Sequence, residues 1–169
     1  MNTYNYKELN PTAQKTAAYA IREAMLPSIE REINDFIVSA RTILGRVAPI
    51  QSLDVTLAQP HSKPHLKYVL TVPKNWYVDD RQRHYLDHLN TVYDEYNEGE
   101  LTATGNHTDS YILRRLEEHP LELTGNSIAE TIKYAVKEFQ ASIVSDLTDE
   151  DELNHMGLTF DEWGHVIPD

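Results

Sequence analysis

The segment from Ser127 to about Leu147 constrains the fold more than any other part of the chain. Ile128, Ile132, Ala135, Val136, Phe139 and Ile143 recur at steps of three and four residues, which places them on one side of a 3.6-residue helix. Lys133 and Lys137 fall on the opposite side. Glu130 stands three residues before the first of them, so the solvent face is charge-paired at helical spacing. Burying about six apolar side chains at roughly 1.5–3 kcal/mol each makes this the central helix of the core.

Two further helices are expected near the start of the chain. Asn10 is suited to cap a helix and Pro11 to occupy its first position. Ala13, Ala17, Ala20, Ile21 and Ala24 then form a stripe of small residues fitted for close packing against another helix. Leu26-Pro27 interrupts the run, because the residue before a proline avoids the helical region. A second helix is predicted from Ser28 to Leu44, with Ile29, Ile33, Phe36, Ile37, Ala40 and Leu44 on one face and Gly45 as its stop. The expectation is a bent helix pair over residues 10–45.

Between residues 50 and 73 the period changes to two. Leu53, Val55 and Leu57 alternate with polar residues, as do Leu66, Tyr68, Leu70 and Val72. Gln59 to Pro64, with two prolines, predicts an antiparallel hairpin with a six-residue loop. Two strands are marginal in water and need helices to cover them. Leu158–Phe160 or Val166–Ile167 would supply a third.

Helical spacing returns from Asp79 to about Glu98. Tyr85, Leu86, Leu89, Val92, Tyr93 and Tyr96 share one face, while Asp80, Asp87, Asp94 and Glu98 line the other. A short helix from Asp109 to about Glu118 turns Ile112, Leu113 and Leu116 inward before Pro120. After the central helix, Thr148 is expected to cap one more helix through Met156, with Asp149, Glu150 and Asp151 at its positive end and Gly157 as its stop. Leu158–Phe160, Asp161–Gly164 and His165–Ile167 read as a small terminal hairpin. The predicted class is α+β: about six helices on a short antiparallel hairpin, as a single domain over residues 1–169. Its acidic helical part is residues 79–157 and its C-terminal turn is 158–169.

Charge narrows the function. Residues 1–78 hold nine Lys/Arg and six Asp/Glu, a balance of +3; residues 79–169 hold six and twenty-one, a balance of −15. After Lys137 there are nine carboxylates and no Lys or Arg. Such a field repels nucleic acid and anionic membranes and attracts basic protein surfaces. The chain has no cysteine, which excludes disulfides, thiolate metal sites and a cysteine nucleophile, and fits a reducing cytosol. The polar, tyrosine-rich stretch Met1–Asn10 lacks the apolar core of a signal peptide. No apolar run approaches the roughly 20 residues that span a bilayer.

Motifs for catalysis are sparse. His84 and His88 have the spacing that lets two imidazoles share a metal on a helix, with Asp80 and Asp87 near enough to assist. The position after the first histidine is Tyr85, where a metallopeptidase helix carries its glutamate. His61 and His65 share that spacing, but Pro60 and Pro64 exclude a helix and place them at the hairpin tip. Asp146–Gly157 resembles a calcium loop only in its acid density. Its sixth position is Asp151 rather than glycine, and no glutamate stands at the twelfth. Trp76 and Trp163, beside polar turns, are expected as anchors at the edge of the core. No catalytic residue, metal or cofactor is expected.

Tyr6-Lys7-Glu8-Leu9-Asn10-Pro11-Thr12-Ala13, continuing to Ala17, resembles the opening of small phage and prophage accessory proteins. Leu147-Thr148-Asp149-Glu150-Asp151-Glu152, running into Phe160-Asp161-Glu162-Trp163-Gly164, resembles their ending. The resemblance implies a phage accessory gene and assigns no functional residue. Joined to the charge distribution, it leads to the expectation of a phage-encoded, non-catalytic inhibitor in the bacterial cytoplasm, of anti-CRISPR or anti-restriction type. Its acidic surface would imitate nucleic acid on a basic host protein such as a nuclease complex. Asp80, Asp87, Asp94 and Glu98 would form one part of that surface. Asp149, Glu150, Asp151, Glu152, Asp161 and Glu162 would form the other. Asp80, Asp87 and Asp94 recur about every 10.5 Å of helix axis, against about 3.4 Å between phosphates on one strand. The remaining acids must therefore fill the gaps. The alternatives are a small metal-dependent enzyme using His84 and His88, and a structural or regulatory phage protein that forms a homo-oligomer through its alanine-rich first helix.

Overall fold

The computed structural model describes residues 2–47, 50–73, 79–85, 104, 106–119, 121 and 125–168. A 3-10 turn, Tyr6–Glu8, leads into helix α1, Pro11–Leu44. Strands β1, Ser52–Ala58, and β2, His65–Thr71, follow. Helices α2, Asp109–Glu118, α3, Gly125–Thr148, and α4, Glu150–His155, complete the order. The class is α+β with one two-stranded hairpin. Five helical elements are bounded among the described residues rather than about six. Residues 80–85 are also helical, and the remainder of the helix expected through Glu98 lies outside the described residues.

The five differ from the expected six in three ways: the helix pair is one helix, the helix from Asp79 is not bounded among the described residues, and the Tyr6–Glu8 turn is additional. Pro27 lies inside α1. A proline takes one N–H out of the helical ladder and disfavours the turn before it. Here apolar burial continues on both sides of it, through Ile21, Ile29, Ile33 and Phe36, and that burial outweighs a local cost of about 3 kcal/mol. The start of α1 follows the sequence closely. Asn10 Oδ1 accepts the N–H groups of Thr12 and Ala13, each at 3.0 Å, which satisfies two donors that a helix leaves open at its N-terminus.

The chain divides into two compact units, to both of which α1, the hairpin and α3 contribute residues. One unit comprises residues 31–56 and 66–140. Ile128, Ile132, Ala135, Val136 and Phe139 of α3 are buried there, as their spacing predicts, while Lys133 and Lys137 are exposed. Phe139 stacks on Phe36 of α1 at 4.8 Å between centroids and meets Tyr111 of α2 at 5.3 Å. Leu53 and Val55 of β1 and Leu66 of β2 face inward, and the Leu66 N–H donates to Gln140 Oε1 of α3 at 2.8 Å. Polar contacts, one buried and one part-buried, fix the entry to α2. Ser39 and Thr108 share a hydroxyl bond of 2.8 Å, and the Asp109 carboxylate accepts from the N–H and hydroxyl of Thr104 at 2.7 and 2.8 Å.

The other unit comprises residues 1–30, 57–65 and 141–169. Its core gathers Tyr6, Leu9, Ala13, Ala17, Ala18, Ile21, Leu153 and Phe160, with Tyr4, Met25 and Leu158 packed around them. Arg22 closes it on the polar side: Nε donates to the Leu147 carbonyl at 2.8 Å and Nη1 to the His61 carbonyl at 3.2 Å. A guanidinium there satisfies a carbonyl at the negative end of α3.

The expected terminal hairpin forms as a single bridge between Phe160 and Val166. It adds no third strand to β1 and β2. Its partner is Tyr4, which exchanges two hydrogen bonds of 2.9 Å with Phe160. The small-residue stripe also finds an unexpected partner. Gly164 presses on the backbone of Ala13 and Ala17, so that a Cβ on it would lie 2.1 Å from the Ala13 carbonyl oxygen. Ala13 and Ala17 are thus covered within the subunit, whereas Ala24 is exposed.

Candidate functional site

The acids at the end of α3 are positioned by capping. Thr148, expected as the cap of α4, is instead the last residue of α3, and its hydroxyl donates back to the Val144 carbonyl at 2.6 Å. A threonine that bonds into its own helix is lost as a cap for the next one. Asp149 takes that role: its carboxylate accepts the N–H of Asp151 at 2.8 Å and of Glu152 at 3.3 Å. Glu150, Asp151 and Glu152 then occupy the first turn of α4, at the positive end of its dipole.

Three of the expected partner-binding acids in this unit have local work. Asp149 caps α4. Asp151 pairs with Lys7, and the ammonium holds its carboxyl below the usual carboxylate range; the same pair raises Lys7. Asp161 closes the turn that follows Phe160. Its Oδ1 accepts the N–H groups of Trp163 and His165, each at 2.9 Å, and its Oδ2 lies 3.1 Å from His165 Nδ1. The His165 N–H, then the His165 ring and the Trp163 N–H, hold the Asp161 carboxyl below its ordinary value. Glu150, Glu152 and Glu162 are exposed and have no ion pair among the described residues. Their field reaches inward. Burial and then the Glu152 charge push the Asp146 carboxyl up, and burial and then Glu150 push the Tyr6 hydroxyl up.

The N-terminal segment links these acids. Tyr4 pairs with Phe160, one residue before Asp161, while Lys7 holds Asp151. The clusters at 149–152 and 161–162 therefore both adjoin residues 4–7. Asp80 belongs to the other unit, where it is exposed next to Arg81 and Arg83 in the helical residues 80–85. Asp79 precedes that helix, and its carboxylate accepts the Gln82 N–H at 2.8 Å. Asp87, Asp94, Glu98, His88 and Trp76 lie outside the described residues. His84 is exposed, and no group of three metal-ligating side chains occurs among the described residues. His61, at the hairpin tip, stacks on Tyr19 at 4.1 Å and meets Glu23 at 2.6 Å, a contact between hairpin and helix.

Trp163 departs from its expectation. It is 65 % exposed, not an anchor of the core. Within the turn Asp161–Gly164 it is Gly164 that faces inward, at φ +85°, which leaves the preceding indole outside. Beside it lies a cavity of about 220 Å³ lined by Asn2, Tyr4, Asp161, Glu162 and Trp163. The sequence signal for this feature is the Asp-x-Trp-Gly order of a tight turn. The approach of Tyr4, across more than 150 residues, leaves none.

The chain matches no protein-family model, no curated protein and no solved structure. No helix among the described residues is long and apolar enough to cross a membrane.

Proposed function

We propose that the protein is a phage-encoded, non-catalytic inhibitor of a host defence system, of anti-CRISPR or anti-restriction type. It acts in the bacterial cytoplasm by binding a basic surface that the host protein uses for nucleic acid. The supporting observation is the unit formed by residues 1–30, 57–65 and 141–169. It holds four Lys/Arg and eleven Asp/Glu, a balance of −7, with Glu150, Glu152 and Glu162 exposed and unpaired among its described residues. A field of that sign draws in basic surfaces and speeds their encounter. It also repels nucleic acid, so the partner is a protein.

The test is phage plating on bacteria that carry a defined CRISPR or restriction system, with and without expression of the protein. Expression restores plating, and the triple reversal Glu150→Lys, Glu152→Lys, Glu162→Lys abolishes the effect at equal protein level. Reversing Asp87 and Asp94 to Lys measures the share of the second acidic stripe in salt-sensitive binding. Protection that survives every reversal defeats the electrostatic account.

A further inference from the structure

We infer that the cavity between Tyr4 and Trp163 receives an arginine side chain of the protein partner. The inference rests on the function proposed above and names the group that its acidic surface recognises. An indole 65 % exposed at a turn tip forgoes the burial that such a side chain usually finds, and the turn that carries it is held by several contacts. Asp161 Oδ1 fixes the N–H of Trp163, the Gly164 N–H donates to the Asp161 carbonyl at 3.0 Å, and Gly164 is seated on α1. An aromatic carried on a fixed turn has only its two side-chain torsions left to order on binding, and Trp, Tyr and Arg dominate the residues that carry binding energy at interfaces.

The lining sets the ligand chemistry. Two aromatic and two acidic residues line the cavity beside Asn2, and no Lys or Arg does. Asp161 is already committed to its turn, while Glu162 has no ion pair among the described residues. Aromatic faces and a carboxylate together select a cation. The size selects its carrier: about 220 Å³ falls below the roughly 300–1,000 Å³ of pockets for cofactors and metabolites, and suits a single side chain. Between the two basic side chains, arginine fits better. Its planar, weakly hydrated guanidinium stacks on an indole while its N–H fork meets a carboxylate, whereas an ammonium keeps its water.

The probes are fluorescein-labelled hexa-arginine and hexa-lysine peptides, titrated with the full chain at fixed ionic strength and followed by anisotropy. Hexa-arginine binds about five-fold more tightly than hexa-lysine, the scale of one exposed cation–aromatic contact. Trp163→Ala removes that preference by weakening hexa-arginine binding more than hexa-lysine binding, while Trp163→Phe keeps part of it. The indole is exposed, so neither variant unfolds the chain, and thermal melting verifies this. If Trp163→Ala leaves the preference intact while Glu150→Lys with Glu152→Lys abolishes binding of both peptides, the cavity is excluded and the acidic-surface reading stands. If neither peptide binds the unaltered chain, both fail.

Discussion

Gly164 shows how much one residue decides. Its φ of +85° lies in the left-handed region, and the space a Cβ would need is filled by the backbone of α1. Gly164→Ala is expected to cost at least about 2 kcal/mol, a conformational cost of about 1–2 kcal/mol with the clash added. Calorimetry should show a fall of roughly 4 °C or more in melting temperature. Asp161 anchors the same turn through its charge. Its folded pKa lies below the unfolded one, so its contribution is complete above the unfolded value of about 4 and is lost as pH falls through the folded value. Urea midpoints should therefore show Asp161→Asn weaker than the unaltered chain at pH 7, with the gap narrowing as pH falls below about 4. Asp146 has the opposite sign. Its raised pKa makes the ionised form a cost that appears as pH rises through the folded value.

At the scale of elements, periodic burial was legible and local interruption was misleading. The face of α3 and the alternation of β1 follow their sequence spacing, because one turn or one pleat fixes which side chains point together. Asn10 and the six-residue loop between β1 and β2 also fall where cap and turn chemistry places them, and Gly45 follows the last residue of α1 without the positive φ of a glycine cap. Pro27 did not end its helix, because the decisive quantity is the apolar area buried on either side of it. That area belongs to the tertiary structure. Pro27 is exposed and its position lacks a backbone donor. Pro27→Ala should therefore stabilise the chain by about 1–2 kcal/mol, the helical gain reduced by the greater freedom of the unfolded chain. A lower stability from denaturant unfolding would show that the helix depends on the proline.

For the whole molecule, the charge asymmetry of the sequence is not the asymmetry of the folded chain. The halves at +3 and −15 become compact units at −7 and −5, because residues 1–30 and 141–169 fold together. The unit of −7 keeps Glu150, Glu152 and Glu162 unpaired among its described residues, and like charges at that density repel. Added NaCl between about 0.05 and 0.5 M should raise the melting temperature by screening them. The variant Glu150→Gln, Glu152→Gln, Glu162→Gln should begin higher and respond less. An equal salt response in both proteins would assign the repulsion elsewhere.

The sequence by itself determined the buried face of α3, the alternation of the hairpin strands, the α+β class, and an excess of acid with no cysteine chemistry. These depend on neighbours within a few residues and on composition, which no folding step alters. Only the tertiary structure decided that α1 continues through Pro27, that Tyr4 pairs with Phe160, and that Gly164 seats on Ala13 and leaves Trp163 outside. Each of those depends on which distant backbone arrives within a few ångströms, and the free energy of that approach is shared among residues far apart along the chain.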